Sequence, residues 1–309
     1  MAVTQKGMDR MNLNLGTVTS PPRNEGASVL RAKAALRAQL DEPRRQGRTI
    51  GLVPTMGFLH EGHLSLLRAA RAECDVVVMS LFVNPTQFGP GEDLERYPRD
   101  EGRDLRLASE AGADLVYAPP VEEVYPEGFA TAVEVGGNLT SVLDGDPARR
   151  GPEHFRGVTT VVAKLFNSVG PDVAYFGQKD AQQAAVIRRM VRDLDFPVRI
   201  EVLPTVREAD GLAMSSRNAY LDAEDRERAL AISRALGAAE RGAHEESLQA
   251  GLAAARRELE GAGIEPEYLE ARDAELLEPV AELNGRPVLV AVAARVGGAR
   301  LIDNVLIRP

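Results

Sequence analysis

Cysteine is nearly absent from this 309-residue chain, with Cys74 as its single instance. One thiol can neither close an intrachain disulfide nor build a cysteine-based zinc site. Its position just before an apolar run reads as core, which disfavours a covalent thioester route. Tryptophan is missing, and histidine occurs only four times. Positive charge is in deficit, with 37 Lys and Arg against 46 Asp and Glu and a net charge of −9. That balance argues against a broad nucleic-acid surface and gives meaning to any local cluster of basic residues. No apolar stretch approaches the roughly 20 residues that span a bilayer. The N-terminus shows no apolar core of a signal peptide. These gaps point to a soluble, cytoplasmic protein with neither a membrane nor a nucleic acid as partner.

What is present is ordinary for a globular chain: 44% hydrophobic and 27% charged residues. The length has room for about two domains. Residues 1–27 are polar, with Pro21-Pro22 and scattered Gly and Asn, and read as a disordered extension. Apolar positions at helical spacing run from Val29 to Leu40. Apolar runs at 49–53, 75–83, 114–118, 172–176 and 198–203 read as buried strands, separated by helical patterns at 62–73, 99–111, 157–169 and 180–193. The alternation predicts an α/β fold, a Rossmann-like doubly wound parallel sheet over 28–204. The pattern changes after Pro204. A polar loop over 205–219 leads to helices near 222–241 and 245–261 and strands near 266–271, 287–294 and 300–307. Residues 205–309 therefore read as a smaller C-terminal α+β domain. No fixed repeat period is present.

Two of the four histidines fall in Pro54-Thr-Met-Gly-Phe-Leu-His-Glu-Gly-His63, where a strand gives way to a helix. A helix N-terminus presents unpaired N–H groups and about half a positive charge, and binds anions readily. Gly57 and Gly62 let the backbone approach a ligand. His60 and His63 then form a compact phosphate clamp, with neutral or charged donors equally compatible. The rival reading is a solvated histidine pair in a loop. A zinc pair fits poorly, because the spacing is not that of H-E-x-x-H.

Three further stretches carry polar chemistry. Phe82-Val-Asn-Pro-Thr-Gln-Phe-Gly89 follows a strand; Asn84 and Pro85 explain a turn, while Gln87 offers a donor and an acceptor to a small polar ligand. Tyr175-Phe-Gly-Gln-Lys-Asp-Ala-Gln-Gln183 is a second strand-to-helix junction. Asp180 there suits an N-cap, but Lys179 at a helix start is unfavourable without an anion. The long loop from Pro204 to Tyr220 carries Ser215, Ser216 and Arg217, a set suited to phosphate oxygens. Its bland alternative is a solvated interdomain connection.

Together these strings resemble the pantoate–β-alanine ligase family of the H-x-G-H nucleotidylyltransferase superfamily. The matching motifs are P-T-M-G-x-L-H-x-G-H, F-V-N-P-x-Q-F, F-G-x-K-D-x-Q-Q and P-T-V-R-E-x-D-G-L-A-M-S-S-R-N, in order over residues 28–307. The resemblance implies an AMP-forming ligase acting through a pantoyl adenylate, with ATP as co-substrate and Mg²⁺ held with it at Asp180. It places His60, His63, Lys179, Ser215, Ser216 and Arg217 as catalytic residues. Met56, Gly57, Gly177, Asp180, Val206 and Met214 join them around ATP. Pro54, Met56, Asn84, Gln87, Tyr97 and Gln183 are expected around pantoate and β-alanine, with Val161 and Val162 as an apolar wall. For Tyr97 and the two valines, ordinary core packing is an equal alternative. His154-Phe-Arg-Gly-Val158 matches a further family string, but Arg150-Gly-Pro-Glu-His154 departs from the usual R-P-G-H. The family also implies a homodimer, and we expect residues 205–309 to close as a lid. A rival is a nucleotidylyltransferase that releases a stable nucleotide product; another is a nucleotide-binding regulator without activity.

Overall fold

The computed structural model describes residues 26–89, 92 and 94–308. The expected N-terminal extension lies almost wholly outside them. The central apolar runs become strands covered on both sides. In β3 (Val76–Leu81) five consecutive residues, Val76 to Ser80, are buried, as a strand with helices on both faces requires. The others are β1 (Ser28–Leu30), β2 (Ile50–Thr55), β4 (Leu115–Tyr117), β5 (Val173–Gly177) and β6 (Arg199–Leu203). They form one parallel sheet in the order β1-β4-β3-β2-β5-β6. The edge strands β1 and β6 have no fully buried residue. Helices α1 (Lys33–Arg45), α5 (Pro152–Val169) and α6 (Ala181–Asp193) share one apolar cluster with one face. Helices α2 (Glu61–Glu73) and α3 (Glu101–Glu110) share another cluster with the opposite face. A single turn, α4 (Val121–Val124), follows β4. The doubly wound sheet is thus as expected, and its strand order reverses between β2 and β5.

Helices α7 (Ala223–Glu245) and α8 (Leu248–Gly261) pack on an antiparallel sheet of β7 (Pro266–Asp273), β8 (Val288–Val296) and β9 (Ala299–Ile307). This second sheet meets the first domain through a shared apolar cluster containing Leu143, Phe155, Val186, Leu289 and Ala291. Buried Asp144 accepts hydrogen bonds from Arg300 at 2.8 Å and from the Tyr268 hydroxyl at 2.9 Å across that junction.

Three expectations are corrected. Val29 lies in an edge strand, not a helix, since residues 28–30 pair with β4; that pairing outweighs helical periodicity. Helix α5 begins at Pro152 rather than near 157, with Pro at the first helical position after Gly151 at φ +76°. The 205–219 segment is not structureless. Arg207 bridges Ala213, Gly211 turns at φ +95°, and the Arg207 guanidinium grips Asp303 at 2.6 and 3.1 Å.

Candidate active site at the strand-order reversal

In an open parallel sheet the carboxyl ends of strands flanking an order reversal leave a crevice. Here β2 ends at Thr55 and β5 at Gly177, so the histidine motif and the Lys179 motif emerge side by side. A cleft enclosing about 1800 Å³ of empty space, mouth included, opens there. Every site residue expected from the sequence lines it except Gly57, which lies beneath the wall.

His60 is the N-cap of α2, and His63 stands in its first turn. The Gly62 N–H donates to His60 Nδ1 at 3.2 Å, and the His60 N–H donates to His63 Nδ1 at 3.3 Å. A neutral ring that accepts at Nδ1 carries its proton on Nε2. The helix cap therefore fixes both tautomers and leaves two Nε2–H donors. The rings lie 4.1 Å apart between centroids. Burial, then the Lys179 charge, lowers the His60 pKa to about 4. Burial, then His60 and Lys179, lowers His63 to about 3. Both are neutral donors at pH 7, which resolves the choice the sequence left open.

Lys179 and Asp180 form a 3₁₀ turn between β5 and α6. The Asn304 amide donates to the Gln178 and Lys179 carbonyls at 2.9 and 3.0 Å, so the second sheet holds this turn. Among the described residues, no carboxylate forms an ion pair with Lys179. Asp180 occupies the N-cap position of α6, but its side chain makes no capping bond, contrary to the capping role that its residue type predicts. Its exposed carboxylate lines the cleft. No set of three or more His, Cys, Asp or Glu able to hold a metal alone occurs among the described residues. The Asp180 carboxylate, a hard oxygen donor beside Lys179 in the cleft, nevertheless has the chemistry that fits Mg²⁺, which is commonly held by one or two carboxylates plus substrate phosphates.

On the far wall, Ser215 caps the turn Ser216–Tyr220 by accepting from the Arg217 N–H at 3.2 Å. Met214 N–H bonds to the Val206 carbonyl at 3.0 Å, which sets both side chains at the cleft. On the near wall, the Asn84 amide donates to Gln87 Oε1 and to the Gly157 carbonyl, each at 3.1 Å. Its oxygen accepts from Tyr125 at 2.8 Å. Asn84 thus braces Gln87 rather than offering a free amide. Val161, Val162, Phe82 and Leu165 form an apolar wall beside them, and Tyr97 and Gln183 also border the cleft.

His154 Nδ1 lies 2.7 Å from the Gln87 carbonyl, which only accepts, so this ring carries its proton on Nδ1. Its Nε2 accepts from Arg150 at 3.1 Å, and Arg150 holds Glu92 bidentately at 2.9 and 2.8 Å. Burial, then Arg150, lowers the His154 pKa to about 4. The departure before His154 thus still brings an arginine to the cleft.

Sequence reading missed several contributors. Ser80 stands near the end of β3 inside the apolar wall, 1% exposed, and its hydroxyl has no partner among the described residues; the buried Thr205 hydroxyl likewise has none among them. A buried unpaired hydroxyl is unfavourable and is relieved by a ligand or water. Asp144, Tyr268 and Asn304 also reach the cleft. No local motif marks these residues.

A parallel sheet reversing beside two neutral imidazoles, a lysine and a Ser-Ser-Arg turn defines a nucleotide-binding α/β site built for anions. A family model for pantoate–beta-alanine ligase matches residues 28–306, and the chain belongs to that family. A pantothenate synthetase of Moorella thermoacetica is 57% identical over 287 residues, 90% of this chain and 98% of the relative. The crystal structure of pantothenate synthetase from Thermus thermophilus superposes with a TM-score of 0.85 at 50% identity, over 91% of this chain and all of that one. A pantoate–beta-alanine ligase from Francisella tularensis, complexed with beta-gamma ATP and beta-alanine, gives a TM-score of 0.75 at 32% identity, over 91% of this chain and 97% of that one.

Proposed function

We propose that this chain is a ligase that condenses pantoate with β-alanine at the expense of ATP, through a pantoyl adenylate. The carboxylate of pantoate attacks the α-phosphorus of ATP and pyrophosphate leaves. The amine of β-alanine then attacks the acyl carbon, an amide forms, and AMP leaves. A carboxylate is already ionised at pH 7, so the first step needs no general base. What it needs is positioning and stabilisation of phosphoryl charge. The single observation that carries this reading is the pair of cap-fixed Nε2–H donors beside Lys179, at the crevice where two strands diverge.

In this reading His60, His63 and Lys179 hold the phosphates, with Ser215, Ser216 and Arg217 closing from the far wall. Val206 and Met214 border the adenosine side, Gly177 also borders the nucleotide, and Met56 lies between nucleotide and acid. Pro54, Gln87 and Gln183 hold pantoate, with its methyl groups against Val161 and Val162. Mg²⁺ held by Asp180 and the triphosphate would neutralise phosphate charge. Residues 205–309 act as a lid, limited to small rotations by the shared core at Phe155 and Leu289. The active species is a cytoplasmic homodimer. No helix among the described residues is long and apolar enough to cross a membrane.

The test is AMP release measured with pantoate and ATP, with and without β-alanine. Sustained AMP formation only with all three substrates is expected. A stable nucleotide product that accumulates without β-alanine would overturn the reading.

A further inference from the structure

We propose that Asp104 is a positioning residue for the histidine pair: its buried carboxylate clamps the Gly57–Leu59 turn and so fixes where the two imidazoles point. This inference rests on the proposed adenylating role of those histidines.

Asp104 lies on α3 and is 1% exposed. Its Oδ2 accepts from the Phe58 N–H at 2.7 Å, and its Oδ1 accepts from the Leu59 N–H, also at 2.7 Å. Both oxygens are used, one for each of two consecutive amides. The turn they hold is unusual. Gly57 stands at φ +87° and Phe58 at φ +50°. The left-handed region is disfavoured for a bulky residue, so an outside contact must stabilise the turn. The preceding helix residue grips the same turn and lies 3.8 Å from the Asp104 carboxylate. Arg103 donates to the Leu59 carbonyl at 2.8 Å, and its guanidinium lies 5.6 Å from the centre of the Phe58 ring.

Gly57 allows this arrangement. A Cβ there would stand 2.9 Å from Asp104 Oδ2 and 2.7 Å from the Leu81 side chain. This explains why Gly57 does not line the cleft: it faces the clamp. The next residue after the clamped pair is His60, whose backbone N–H fixes His63 and whose ring caps α2. Loss of one amide contact at Leu59 therefore reaches His60 through one peptide bond, and His63 through the hydrogen bond that the His60 N–H donates. Asp104 itself does not line the cleft. Burial raises its pKa despite the two amides, so the clamp is buried at an energetic cost that a solvent-facing turn would not need.

The experiment compares Asp104→Asn with the wild type. Asparagine keeps the shape but replaces one acceptor oxygen by an NH₂ group that faces a backbone N–H. Pantoate-dependent exchange of labelled pyrophosphate into ATP reads adenylation without β-alanine. Side-chain ¹⁵N spectra read the tautomers of His60 and His63. Misplacing reacting groups by about 1 Å can cost about 100-fold. We expect kcat for exchange to fall 10- to 100-fold in D104N while KM for pantoate stays within threefold. The two rings should lose their uniform Nε2–H signature.

Asp273→Ala is the control. Asp273 Oδ1 clamps the Glu275 and Leu276 amides at 2.9 and 2.8 Å in a turn that does not line the cleft. D273A should lower Tm and leave exchange unchanged. Wild-type kcat in D104N, or unchanged histidine spectra, overturns the inference. An equal fall in D273A would show a stability effect and also overturn it. If D104N does not fold, Asp104→Glu, which keeps the charge one methylene further out, is read on the same scale: reduced kcat at unchanged KM supports the clamp, and wild-type kcat refutes it. Absence of exchange in the wild type would instead refute the adenylating reading.

Discussion

Replacing His63 by asparagine separates its two roles. In the folded protein Nδ1 of His63 accepts the His60 N–H at 3.3 Å, and Nε2–H is left for the ligand. An asparagine Oδ1 can sit where Nδ1 sits, so the cap bond survives. Loss of such a cap costs about 0.5–2 kcal/mol, and H63N should avoid most of that cost, whereas His63→Ala incurs it in full. The Nε2 donor disappears in both variants. Removing one preorganised donor to developing phosphoryl charge costs about 3–4 kcal/mol, or 10²- to 10³-fold in kcat. Exchange of labelled pyrophosphate into ATP, with pantoate alone, reads this step. H63N should unfold within about 1 kcal/mol of wild type in urea yet exchange 10²- to 10³-fold more slowly. His63→Gln should invert the pattern, keeping more activity and losing more stability. Wild-type exchange in H63N would refute the donor role, and collapse of its stability to the H63A level would refute the cap argument.

Further perturbations probe other walls of the cleft. Lys179→Ala should abolish exchange with Tm little changed, because Lys179 has no carboxylate partner to lose among the described residues; retained exchange would contradict this. Gly157→Ala would press a Cβ on the Thr86 carbonyl and within 2.7 Å of Gln87 N, displacing the Asn84–Gln87 turn. Its pantoate KM should rise at least tenfold, with ATP binding little altered by calorimetry. His60, His63 and His154 have folded-state pKa values of about 4, 3 and 4, below the unfolded value near 6.5. The unfolded chain therefore takes up protons first as pH falls. Stability from these groups is complete above about pH 6.5 and declines towards pH 4, by up to about 1.4 kcal/mol per pH unit for each. Urea midpoints at pH 7.5 and 5.5 check this; an equal or higher midpoint at pH 5.5 would contradict it.

Much of the architecture was legible because periodicity and burial agree. The runs that became β2 to β5 are largely apolar on both faces, β6 at the edge carries Arg199 and Glu201 on one face, and the intervening stripes became helices within a few residues. Failures have local causes. Val29 follows the helical period of α1, yet an unpaired edge of β4 captures it. Pro152 at the first helical position was a readable start signal for α5 that the apolar stripe from 157 obscured. The site was legible where one short stretch carries its own geometry, as at His60 and His63. It was not legible where a contact joins distant segments. Asp104 meets Phe58 across 46 positions, and Asn304 meets Lys179 across 125. Nothing beside Asp104 distinguishes it from the other acidic residues of a helix, and nothing beside Ser80 shows that its hydroxyl lacks a partner among the described residues.

Oxygen tracing tests the central claim most directly. Pantoate labelled with ¹⁸O in its carboxylate is turned over with ATP and β-alanine, and the products are weighed by mass spectrometry. If the carboxylate attacks the α-phosphorus, one labelled oxygen appears in AMP and the other stays in the amide carbonyl of the product. Unlabelled AMP would mean that the carboxylate never bonded to that phosphorus, and the account would be wrong.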